Sequence, residues 1–243
     1  MAINQPYYRI ARPMLSDDFS YGRYVLDRRY ASDRSMLCRA YRMLEDDLKI
    51  IFEFVEPSDD NCLTYSHRIY ELLLRAATEF ETNCKGILDA NGYIKNGNLS
   101  IIDYYKIEKA IRASKYEIYL DIWRPERKKI VPFKGWATGH KLEWYAAYND
   151  VKHGRQIKFC RANIANLLNS VAAVYIILFA QFGVFSFNPY QQINMVEDND
   201  DGSIFSGESI FGIIPPSWLQ EGKYDFDWEK LKKQPSPFLQ YNF

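Results

Sequence analysis

The stretch WYAAYNDVKHGR, Trp144 to Arg155, gathers Asn149, Lys152, His153 and Arg155 within two turns of a helix-length segment. A histidine titrates near neutrality and can move a proton, while lysine and arginine hold phosphate oxygens and steady the charge that builds in a transition state. That combination suits metal-free cleavage of a phosphodiester, with Asn149 orienting the imidazole or a bound phosphate. On a helix, Tyr145, Asn149, Lys152 and His153 fall at i, i+4, i+7 and i+8 and face one way. Trp144, Tyr148, Val151 and Arg155 form another face, apolar enough to pack against a neighbouring helix. The competing reading from spacing alone is that His153 caps a helix junction while Lys152 and Arg155 are solvated.

The elements that must carry this segment are helical. Leu37, Tyr41, Leu44, Leu48, Ile51 and Val55 recur at alternating spacings of four and three, with Asp33 as the expected N-cap and Pro57 as the stop. Residues 65–88 predict a second helix with Ile69, Leu72, Leu73, Ala76, Phe80, Cys84 and Leu88 on one face. Its opposite face, Arg68, Glu71, Arg75, Glu79 and Thr82, reads as a solvated stripe of i,i+4 ion pairs or as part of a site. Residues 101–120 predict a third helix whose β-branched and aromatic end could finish as a strand. Residues 124–139 carry too much Pro, Gly and charge for a regular element and read as a wrapping loop. After the motif, Ile157, Cys160, Ile164, Leu167, Val171, Val174, Leu178 and Phe182 mark the most apolar helix of the chain, expected at the centre of the fold. Its core, residues 171–185, is shorter than the roughly 20 apolar residues that span a bilayer, so a buried helix without membrane contact is expected.

Two other sites compete. Residues 197–208 nearly follow a calcium-loop pattern, with Asn199, Asp201, Gly202, Ile204 and Glu208 in register but Glu197 where Asp is expected. Neither flank reads as a helix, so an acidic turn is the expectation. No His or Cys pair has zinc-ligand spacing, and no phosphate loop, nucleophile elbow or dinucleotide fingerprint occurs. No cofactor and no metal are expected.

The order of features across residues 34–185 resembles the HEPN superfamily of helical bundle proteins, carried by YSHRIYELLLRAATEFETNCK (65–85) and by WYAAYNDVKHGR with the long apolar helix after it. The resemblance implies an all-α bundle, a homodimer and, in active members, a metal-independent endoribonuclease of toxin–antitoxin or anti-phage systems. In those members an Arg and a His a few residues apart meet their symmetry mates across the dimer interface. His153 matches that histidine, but Ala146, Ala147 and Tyr148 stand where the arginine belongs. Three readings remain open: Lys152 or Arg155 supplies the charge, Arg75 supplies it from the second helix, or the chain lacks the chemistry. In the active reading His153 is the general base on a ribose 2′-hydroxyl, Lys152 and Arg155 stabilise the phosphorane, and Asn149 positions it. Arg75, Glu79, Tyr145 and Tyr148 are the accompanying binding residues.

Composition sets the outer limits. In 243 residues, 47% apolar, 31 basic residues balance 31 acidic ones, so any nucleic-acid contact must be local rather than a global field. The four scattered cysteines read as reduced thiols, and the N-terminus shows no secretion signal, so a cytoplasmic location is expected. The expected architecture is all-α: four to five main helices over 33–185, an irregular arm over 1–32, and an extended or hairpin tail over 186–243 packed on the bundle. The expected function is a HEPN-like endoribonuclease with RNA and an antitoxin-like protein as partners. The alternative is a non-catalytic helical dimer that binds a protein or nucleotide.

Overall fold

Four long helices form the framework of the computed structural model, which describes residues 2–16, 19–185, 196–198, 203–206 and 209–243. α1 is Arg34–Phe52 and α2 is His67–Ala90. Two short helices follow, α3 (Ile101–Tyr104) and α4 (Ile107–Ile111), then α5 (Glu143–Lys158), α6 (Ile164–Phe182) and the single-turn α7 (Trp228–Leu231). α2 starts where Ser66 accepts the Ile69 amide at 3.2 Å, an N-cap that satisfies one of the free donors of the first turn. α6 starts in the same way, with Asn163 accepting the Asn166 amide at 3.1 Å. Asp33 precedes α1 without capping it, because its carboxylate is drawn into a close ion pair with Arg9.

The α2–α6 pair is the heart of the molecule. Ala76 and Ala77 on α2, and Ala172, Ala173 and Ala180 on α6, are fully buried, and such small side chains let two helix backbones approach closely. With its short 3-10 extension, α6 runs over 22 residues, so the apolar stretch extends beyond the 171–185 core and is long enough to cross a bilayer by length and composition; 83% of its apolar window is buried inside the protein. Ile157 and Cys160 do not belong to it. The chain breaks between Lys158 and Ile164, leaving Ile157 90% exposed.

The all-α expectation fails. An antiparallel sheet of five short strands lies beside the helices: β1 (Glu117–Leu120), β2 (Lys128–Ile130), β3 (Val196–Asp198), β4 (Ile204–Ser206) and β5 (Phe211–Ile214), in spatial order β2-β1-β5-β4-β3. β1 is the strand-like end of residues 101–120, and it buries Ile118 and Leu120 on alternate positions. Its register with β5 pairs Glu117 with Ile214 and Leu120 with Phe211, and β2 arises inside the segment read as a loop. Strands of three or four residues are too short to show a period, and the partner of β1 lies some ninety positions away, so nothing local marks the sheet. Glu197 and Ile204 of the acidic run sit in β3 and β4, while residues 199–202 and 207–208 lie outside the described residues.

The N-terminal arm is tied in by buried polar bonds. Arg9 donates to Gln181 at 3.3 Å, Gln181 donates to Asn83 at 2.8 Å, and the Ala11 amide donates to the Ala180 carbonyl at 2.8 Å. The arm also meets the C-terminal segment through isolated parallel bridges, Ile3 to Tyr224 and Tyr7 to Leu239.

Candidate nucleic-acid interface

α5 carries the motif, and its buried side is fixed first. Trp144, Tyr148 and Val151 are buried as the wheel requires, and the Trp144 indole donates to the Pro132 carbonyl at 3.1 Å, pinning the helix to the wrapping segment. Tyr145, placed with the polar face by spacing, is buried as well, and its hydroxyl donates to Glu81 of α2 at 2.8 Å. Burial and that carboxylate push the Tyr145 phenol well above its ordinary range. Lys152 donates to the Tyr148 hydroxyl at 2.9 Å, which raises the lysine pKa and spans one turn of α5.

The remaining polar residues of the motif separate. Gly154 leaves helical geometry at φ −137° and ψ 35°, so the side chains after it no longer follow the wheel. Arg155 turns toward the start of α2 and lies 5.4 Å over the Tyr70 ring. His153 is exposed and, among the described residues, its side chain makes no hydrogen bond, ion pair or ring contact. No side-chain hydrogen bond joins Asn149, Lys152, His153 and Arg155 to one another among the described residues. Arg75 is committed elsewhere, in a close ion pair with Asp47 of α1. Glu79 is half-buried, and burial raises its carboxyl pKa against the opposing charge of Arg75. No hydrogen bond, ion pair or ring contact joins Arg75 or Glu79 to His153 among the described residues.

Asn149 finds different company. It lines a groove of about 490 Å³ with Ile101, Tyr105, Trp136, His140 and Tyr145. One wall is the loop before α5, which folds back tightly: a Cβ at Gly135 would lie 2.5 Å from the Lys141 carbonyl oxygen, and Gly139 adopts φ +71°. That turn presents His140, whose Nδ1 lies 2.7 Å from the Thr138 hydroxyl. The other wall is α3 and the residue after it. Tyr105 donates to the Trp136 carbonyl at 3.3 Å, its ring 5.7 Å from the Trp136 ring, and it remains 39% exposed. α3 is held by a capping box in which Ser100 and Asp103 satisfy one another's backbone.

The groove can therefore offer an aromatic face, an amide that both donates and accepts, and an imidazole, in a mostly apolar cleft. His153 lies one turn beyond Asn149 on the same side of α5. At the far end of α5, Lys158 and Arg161 are partly neutralised by Asp150, whose carboxyl is held below its ordinary pKa first by Lys158. Lys152 and Arg155 make no ion pair among the described residues. Phe159 adds an aromatic cluster there, with Tyr65, His67 and Tyr70 at 5.6, 4.9 and 5.9 Å between ring centroids.

Sequence reasoning missed Tyr105, Trp136 and His140. Tyr105 was hidden in a segment read as one continuous helix, and Trp136 and His140 in a segment read as loop. The only available signal was the pairing of a lone tryptophan with Gly135 and Gly139, a turn signature that carries no functional label. No protein-family model, no curated protein and no solved structure matches the chain.

Proposed function

We propose that this chain binds single-stranded RNA, seating one base in the groove between Tyr105 and Asn149 and holding the adjoining phosphates along Lys152, His153 and Arg155. The observation that carries the reading is the groove itself, which joins an exposed tyrosine face to the amide of Asn149 on the side of α5 that leads to His153. Base stacking on an aromatic ring contributes about 1–3 kcal/mol per base, enough for a local site on a chain with no net charge. Sequence-specific RNA recognition favours unstacked bases read by hydrogen bonds on their edges, and an asparagine amide offers both a donor and an acceptor for that.

Binding, rather than cleavage, is the reading for the single chain. A general base needs its proton partner within reach and a group that orients it, and His153 has neither Asn149 nor a cation bonded to it. The test is fluorescence anisotropy with a labelled single-stranded RNA in EDTA, with the RNA then run on a denaturing gel. The expected result is saturable binding, weakened roughly tenfold by Tyr105→Ala or Asn149→Ala, with the RNA intact. No binding at about 100 μM protein refutes the reading. Metal-independent cleavage that disappears in a folded His153→Ala variant would replace it with the nuclease.

A further inference from the structure

The outer face of α1 is exposed and apolar at heptad spacing. Met36, Met43 and Ile50 are 63%, 53% and 51% exposed, and Phe54, just past the helix, is 83% exposed. On a 3.6-residue wheel these four lie within about 40° of one another, a narrow seam rather than scattered surface residues. Arg39 and Asp46 border the seam on one flank, and Ala40 and Asp47 border it on the other.

We infer that this seam is an isologous interface at which α1 packs antiparallel against α1 of a second copy of the chain, with Met43 on the two-fold axis. Charge selects both the occupant and the direction. The first half of α1 carries Arg34, Arg39 and Arg42; its second half carries Asp46, Asp47 and the buried Glu45 against one basic residue, Lys49, with Glu53 beyond, so the second half is acidic on balance. Parallel packing would set like charges side by side; antiparallel packing sets basic half against acidic half. A two-fold axis perpendicular to both helices reverses chain direction but keeps each flank on its own side. Arg39, four residues before Met43, then meets Asp46 of the other copy, three residues after it, within about 1.5 Å of the same height. Met36 meets Ile50 of the other copy on both sides of the Met43 pair. On the opposite flank Ala40 leaves room for Asp47, which Arg75 already neutralises.

Both ion-pair partners are available for this. Arg39 is exposed and makes no ion pair among the described residues, while Asp46 has a 61% exposed side chain with only a loose 3.7 Å contact to Lys49. α2 and α6 separate α1 from α5, so the interface leaves the groove open in each copy and does not bring the two His153 side chains together. The inference is therefore independent of the RNA-binding proposal.

The test is sedimentation equilibrium of the full chain. The expected result is a dimer at about 50 μM that Met43→Glu dissociates, with the dimer dissociation constant rising roughly a hundredfold as two carboxylates are forced together. Met43 is exposed, so the variant should retain the wild-type circular dichroism spectrum. Arg39→Asp should weaken the dimer about tenfold, and adding Asp46→Arg should restore it. As an independent readout, Met43→Cys in a Cys62→Ser, Cys160→Ser background should form a disulfide-linked dimer under mild oxidation, whereas Met36→Cys should not. A wild-type monomer at 50 μM, a dimer indifferent to Met43→Glu, or cross-linking at Met36→Cys instead of Met43→Cys would each overturn the proposal.

Discussion

The Tyr145 hydroxyl donates a hydrogen bond to the Glu81 carboxylate at 2.8 Å, and that bond joins the helix bearing the motif to the central helix α2. The Tyr145 ring lines the groove while its polar end is used up inside the protein. Replacing it by phenylalanine keeps the wall and removes the tie, leaving Glu81 with Lys85 at 3.6 Å. Tyr145→Phe should therefore cost about 1–2 kcal/mol in urea denaturation and leave RNA affinity within about twofold of wild type. An affinity loss without a stability loss would make Tyr145 a ligand-binding hydroxyl instead.

Asp103 anchors the opposite wall. Its carboxylate accepts from Lys95 at 2.7 Å, from Tyr93 at 2.9 Å, and from the Ser100 amide and hydroxyl at 2.7 and 2.9 Å. Burial pushes its pKa upward, but the bonds from Lys95, Ser100 and Tyr93 outweigh it and hold the carboxyl well below the usual range. A folded pKa lowered in this way stabilises the protein above the unfolded value near 3.8, and the contribution is lost as pH falls through the folded value. Asp103→Asn should cost about 1–3 kcal/mol at pH 7 and weaken RNA binding by loosening Tyr105. The stability gap between the two proteins should narrow as the pH is taken below 3.8; a gap that widens there would contradict the assignment.

The long helices were legible because each repeats its pattern over many turns: the stripe from Leu37 to Ile51 and the apolar face of α2 both bury as read. The sheet was not, since Ile118 and Leu120 offer only two alternations before the strand ends, and their partners Ile213 and Phe211 are remote in sequence. The motif was half legible. Spacing placed Trp144, Tyr148 and Val151 inward, but it could not foresee that a phenol on the polar side would find Glu81, nor that Gly154 would break the wheel between His153 and Arg155. Tyr105 and Trp136 meet Asn149 only through tertiary folding of two segments with no periodicity of their own.

Arg75 does not line the groove. Its partner is Asp47, in a pair whose side chains are 46% and 43% exposed, so the pair is well solvated and contributes little. Arg75→Ala should change stability by no more than about 1 kcal/mol and leave RNA affinity within about twofold. A tenfold loss of affinity in a folded variant would return Arg75 to the site.

Salt dependence separates the base from the phosphates. If Lys152 and Arg155 each neutralise one phosphate, the logarithm of the RNA association constant should fall with the logarithm of salt concentration at a slope of about −1.4, from roughly −0.7 per contact on a single strand. Lys152→Gln and Arg155→Gln should each lower the affinity and flatten that slope by about 0.7. Asn149→Ala should lower the affinity and leave the slope alone, because an amide displaces no counterion. The two kinds of variant thus differ in what they change, not only in how much. A wild-type slope steeper than about −3 would place the phosphates on a broader cationic surface than α5 provides, and an Asn149→Ala variant that flattens the slope would remove the base from the groove.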